Sequence, residues 1–88
     1  MSVKDSIEAK LTAALSPTRL SVLDDSEKHH GHGGWREGGE THFSVEVVSE
    51  AFRGKGRVER HRIVNALLAE ELAGRVHALA ISAKAPGE

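Results

Sequence analysis

The chain has 88 residues, no cysteine and a formal net charge of −1 at pH 7. That length suits one small domain, residues 1–88, with a thin core that buries roughly 60 to 65% of its unfolded surface and that no disulfide can staple. The charge balance argues against bulk attraction to nucleic acid or anionic membranes, and no apolar run approaches the roughly 18 residues that a bilayer span needs.

Met1 to Asp5 carries neither the apolar segment of a signal peptide nor the Arg-rich, acid-poor character of a transit peptide. Together with the missing cysteines this points to a reducing, cytoplasmic setting. Val3, Ile7, Leu11 and Leu15 then recur at helical spacing, with Ala14 filling the stripe. Ser2 and Asp5 have the spacing of a capping box, and Ser16-Pro17 ends the helix because the residue before proline resists helical dihedrals. Arg19 to Leu23 reads as a short strand with Leu20 and Val22 on one face. His42 to Val48 alternates more cleanly, with Phe43, Val45 and Val47 on one face and His42, Ser44 and Glu46 on the other, solvent-facing one.

Gly54-Lys55-Gly56 marks a turn, and a helix follows from about Arg57 to Leu72 with Val64, Leu67, Leu68 and Leu72 as its apolar stripe and Gly74 as its stop. Val76 to Ile81 is apolar on both faces apart from His77, which suggests a central or parallel strand, leaving 84–88 as a short tail. The order helix, strand, strand, helix, strand predicts an α+β two-layer sandwich. Strands one and two pair antiparallel, strands two and three pair in parallel around a crossover helix, and the helices cover one face of a three-stranded mixed sheet.

Two features stand apart from this scaffold. The first is the connection between strands one and two, 24–39, which is too long for an ordinary hairpin and belongs to the class of loops that carry function or lack order. It holds Lys28-His29-His30-Gly31-His32-Gly33-Gly34, five glycines between 31 and 39, and the sole tryptophan, Trp35. Neutral imidazole is the commonest metal ligand, and without cysteine any metal chemistry uses imidazoles or a partner's thiolates. The second is a basic stretch, Ala51 to Val64, where Arg53, Lys55, Arg57, Arg60 and Arg62 face Glu59 alone, a local balance of +4. Lys55, Arg57, Arg60 and Arg62 are its candidate phosphate contacts. On the helix, Arg62 lies opposite the apolar stripe and Arg60 flanks it, so both can also pair with Glu59 or Glu70. His61, by contrast, shares the face of Val64, Leu68 and Leu72 and reads as a packed histidine. No nucleophile motif or paired-acid pattern emerges, so the chain reads as a binding protein and not an enzyme.

Gly39-Glu40-Thr41-His42-Phe43-Ser44-Val45, Val48-Ser49-Glu50-Ala51-Phe52-Arg53-Gly54, Arg60-His61-Arg62-Ile63-Val64-Asn65-Ala66-Leu67-Leu68-Ala69-Glu70-Glu71-Leu72 and Val76-His77-Ala78-Leu79-Ala80-Ile81 together resemble the BolA family over nearly the whole chain. The element order is similar to that family's fold, itself similar to a class II KH domain. The resemblance implies a heterodimer with a monothiol glutaredoxin that shares a [2Fe-2S] cluster. The glutaredoxin and a bound glutathione would bring sulfur, and this chain would bring His77 and a histidine of the loop. Counting forward from Asp24-Asp25-Ser26 favours His29 for that second ligand, and counting back from Glu40-Thr41-His42-Phe43 falls nearer His32. His32 is preferred because its glycine neighbours allow close approach, with His29 the alternative and His30 third. The resemblance also implies DNA-binding regulation as the runner-up, although Gly54-Lys55-Gly56 is one residue shorter than the Gly-x-x-Gly loop of KH domains. A third possibility is a loop that binds divalent metal weakly by itself.

Overall fold

The computed structural model describes residues 2–25 and 42–88; His29, His30, His32 and Trp35 lie outside the described residues. Helix α1 runs Val3–Leu15. The Ser2 hydroxyl accepts from the Asp5 N–H at 3.1 Å and the Asp5 carboxylate accepts from the Ser2 N–H at 3.3 Å, which closes the expected capping box. Ile7, Leu11 and Leu15 are buried. Ala14 is exposed instead of filling their stripe, although it lies seven residues from Ile7 on the same side of the helix. The helix stops at Ser16, which adopts a left-handed conformation (φ 43°) ahead of Pro17.

Strands β1 (Arg19–Asp24) and β2 (His42–Val48) pair antiparallel, with Leu20 opposite Val47 and Val22 opposite Val45. Strand β3 (Ala78–Lys84) pairs with β2 in parallel, with His42 opposite Ala78 and Val45 opposite Ile81. The sheet order β1-β2-β3 makes β2 the central strand and β3 an edge strand. The expected strand Val76–Ile81 is therefore displaced: it starts after His77 and extends to Lys84. Ile81 and Ala83 alternate with Ser82 and Lys84, so the half-buried pattern of a strand covered on one face continues past Ile81. Ala85 is also buried, so the expected tail is packed against the domain.

Between β2 and the next helix, a single 3-10 turn at Glu50–Phe52 buries Phe52 completely. The expected helix from Arg57 to Leu72 is two helices, α2 (Arg57–Leu67) and α3 (Ala69–Ala73), separated at Leu68 (φ −104°, ψ 20°). Leu68 itself is buried. The break lets α3 meet α1: Glu71 accepts from Lys10 Nζ at 2.8 Å and from the Ser6 hydroxyl at 2.6 Å. Burial works against the Glu71 charge, yet the Lys10 and Ser6 hydrogen bonds outweigh it and hold the carboxyl below the ordinary range. Gly74 ends α3 as expected; a Cβ there would approach the Glu70 carbonyl to 3.3 Å. Ile7, Leu11 and Leu15, the inward positions Val22, Phe43, Val45 and Val47, and Phe52, Val64, Leu68 and Val76 form one core. The helices thus cover one face of a three-stranded mixed sheet, an α+β two-layer arrangement.

Candidate metal and partner site

His77 sits between two fixed points. Val76 is buried and its N–H donates to the Glu71 carbonyl at 3.0 Å, while Ala78 begins β3 in register with His42. The backbone is pinned on both sides, and the imidazole is exposed. A polar ring inside an apolar run, the feature that singles out His77 in the sequence, marks the point where the chain leaves the core before entering the edge strand.

Among the described residues, the ring beside it is one that strand alternation assigns to solvent. His42 is on the Ser44 and Glu46 face of β2 but is only 7% exposed. Its centroid lies 5.9 Å from that of His77, with the planes tilted by 48°. His42 opens the central strand, between the end of β1 and the start of β3, with the His77 ring beside it. The signal that finds this pair is topological. Once β2 and β3 run parallel with His42 beside Ala78, the residue before Ala78 must come close to His42.

The same corner anchors the long connection. The Asp25 N–H donates to the His42 carbonyl at 2.7 Å, so residues 26–41 leave β1 and enter β2 across one hydrogen bond. Asp25, His42, Phe43, Ser44, Ala78, Leu79 and Ala80 line an open groove of about 240 Å³ here, and the Ser44 hydroxyl donates to the Asp25 carboxylate. Among the described residues no three histidine, aspartate or glutamate side chains converge to hold a metal ion. A third ligand for an ion held at His77 would therefore have to come from 26–41, from a partner or from water.

The basic candidates gather elsewhere. Lys55, Arg57, Arg60 and the half-buried His61 line a groove of about 510 Å³ against β3, and Lys84 joins them from the strand. No local pattern in the sequence singles out Lys84, because only the β3 register brings it there. Arg62 is exposed and lies outside this groove. Arg60 does not pair with Glu59 or Glu70, the partners expected from helical spacing. Its Nε donates to the Lys55 carbonyl at 2.8 Å, its Nη1 to the Ala83 carbonyl at 3.1 Å and its Nη2 to Glu88 at 2.8 Å. The Lys55 carbonyl before α2, the Ala83 carbonyl on β3 and the Glu88 carboxylate together outcompete exposed glutamates on the helix. The Arg60 hydrogen bonds, helped by the Ala85 N–H, hold the Glu88 carboxyl down at about 2.

The BolA-like protein family model matches residues 11–88. The chain belongs to the BolA-like family. It is 48% identical over 89 residues to the "uncharacterized protein in cobS 5'region" of Sinorhizobium sp, covering all of this chain and 96% of that one. It is 47% identical over 79 residues to the DNA-binding transcriptional regulator BolA of Vibrio cholerae, covering 90% of this chain and 71% of that protein. Among solved structures, the BolA domain of SufE1 from Arabidopsis thaliana superposes with a TM-score of 0.87 at 45% identity, covering 98% of this chain and 94% of the other. Other relatives are longer: the chain spans 60% of mouse BolA-like protein 1 and 23% of the Arabidopsis thaliana SufE-like protein 1. Among the described residues, no helix is long and apolar enough to cross a membrane.

Proposed function

We propose that this BolA-like chain is a cytoplasmic, non-enzymatic partner of a monothiol glutaredoxin. In this reading it co-ligates a [2Fe-2S] cluster through histidine in iron-sulfur cluster trafficking or iron regulation. The supporting observation is the placement of His77, an exposed imidazole on a pinned backbone beside the two ends of the histidine-bearing loop. Starting at Asp25, four residues to His29 span at most about 14 Å and seven to His32 at most about 25 Å, which bounds how far each can reach toward His77. The donor set suits the group. This chain has only nitrogen to offer, and the sulfur would come from the glutaredoxin cysteine and glutathione. An all-histidine contribution raises the potential of a shared cluster, because neutral imidazole replaces anionic thiolate. What the chain itself does is hold His77 outward and bring a second imidazole to it. Anaerobic reconstitution with a monothiol glutaredoxin and glutathione, read by visible circular dichroism, tests this. A heterodimer spectrum distinct from that of the glutaredoxin alone is expected, and an unchanged glutaredoxin spectrum refutes the reading.

One observation favours a second function. Lys55, Arg57 and Lys84 crowd one groove in a chain whose Vibrio cholerae relative is named a DNA-binding regulator. In that case the groove follows a phosphate backbone, and affinity falls steeply with salt.

A further inference from the structure

We propose that His42 and His77 form a two-imidazole site for a divalent transition ion of the zinc class, present in this chain without any partner. A tetrahedral ion with Zn–N bonds near 2.1 Å sets the centroids of two ligating imidazoles roughly 5 to 6 Å apart, wider as the angle between them opens. The His42 and His77 centroids are 5.9 Å apart and the planes are inclined by 48°, which fits the wide end of that range.

The spacing comes from the backbone. His42 is the first residue of the central strand, and His77 precedes its partner Ala78. Both backbones are pinned before any ion arrives, so binding orders only two rings. The two rings also differ usefully. His42 is buried and supplies a fixed donor, while His77 is exposed and leaves the ion's remaining positions open to water. The Asp25 carboxylate shares a groove with His42, where it accepts from the Ser44 hydroxyl. Imidazole nitrogen suits zinc, copper and nickel and suits hard ions such as magnesium poorly.

This site does not depend on the glutaredoxin reading. Where both hold, the ion and the cluster compete for His77, and zinc-class ions block the cluster partnership.

The test uses the 88-residue chain alone, carrying His29→Ala, His30→Ala and His32→Ala so that the loop cannot supply ligands. Zinc chloride is titrated by calorimetry, and the histidine ring carbon and nitrogen resonances are followed by NMR. One equivalent of zinc is expected to bind, with the His42 and His77 rings shifting together. Adding His77→Ala, or His42→Asn, is expected to weaken binding by about tenfold or more, at least the loss seen when a supporting residue of a metal site is removed. His77 is exposed, so its variant folds even where the His42 variant does not. Absence of zinc binding in the loop variant, undiminished binding after His77→Ala, or a shift confined to one of the two rings overturns the proposal. None of these results bears on the reconstitution with glutaredoxin, which is read by cluster absorption.

Discussion

The buried Ser49 hydroxyl donates to the Leu15 carbonyl at 2.6 Å and accepts from the Ala51 N–H at 3.1 Å. One side chain thus satisfies an orphan carbonyl at the end of α1 and caps the 3-10 turn that buries Phe52. Ser49→Ala leaves the Leu15 carbonyl short of a buried partner and uncaps the 3-10 turn. The expected cost is about 1 to 3 kcal/mol, a drop of roughly 4 to 8 °C in Tm for each kcal/mol in a domain this small. Urea and thermal unfolding of the variant measure it. An unchanged Tm removes Ser49 from the set of residues that join α1 to the sheet.

The Arg60–Glu88 pair predicts a pH dependence. Folding lowers the Glu88 carboxyl from its ordinary 4.5 to about 2. A depressed carboxyl contributes stability that is fully present above the unfolded value and is lost as pH falls through the folded one. The contribution therefore disappears between about pH 4.5 and 2, and it is modest because the pair is open to solvent. Tm measured across this window should fall less steeply in Glu88→Gln than in the wild type. Identical acid limbs would mean that the pair contributes nothing to stability.

Where the local pattern and the tertiary environment agree, the fold is legible in the residues alone. Phe43, Val45 and Val47 alternate against a single covered face, so the expected β2 matches the observed strand residue for residue. The break at Leu68 is not legible, because both helices continue one apolar stripe and the turn exists to bring Glu71 to Lys10, sixty-one positions away in the chain. The site divides in the same way. His77 announces itself as a polar residue in an apolar run. His42 lies on the face that alternation gives to water, and it is the parallel register with β3 that brings His77 beside it. Arg60 likewise has the spacing of a helix-surface charge, but the β3 register brings Ala83 to it and the chain beyond places Glu88 there.

The nucleic-acid reading yields a selective substitution. Arg60 is a poor probe, because removing it also frees Glu88 and two carbonyls. Lys55 and Arg57 line the groove and are the better pair. Lys55→Ala with Arg57→Ala should weaken DNA binding across all sequences and reduce the salt slope by about one unit for each phosphate no longer neutralised. Filter binding or fluorescence anisotropy at several salt concentrations reads both. Unchanged affinity and slope would leave the groove as a solvated basic surface.

His77→Ala separates ligation from folding. The side chain is exposed and Val76 and Ala78 hold the backbone, so the stability of the isolated chain should stay within about 0.5 kcal/mol of the wild type. The shared cluster with a monothiol glutaredoxin should be lost or short-lived. The loop histidines should behave differently, since His29 and His32 lie on one glycine-rich segment and either can reach the same place. His32→Ala alone should weaken the cluster less than His77→Ala does. His29→Ala with His32→Ala should exceed the sum of the two single effects, because the second removal leaves no near substitute. Cluster lifetime by visible circular dichroism ranks the four variants. If His32→Ala alone equals the double variant, His32 is the dedicated ligand and the redundancy is refuted. If the loop variants leave the lifetime unchanged while His77→Ala abolishes it, neither His29 nor His32 is the second ligand, and His30 or His42, the latter 5.9 Å from His77, is the next imidazole to change.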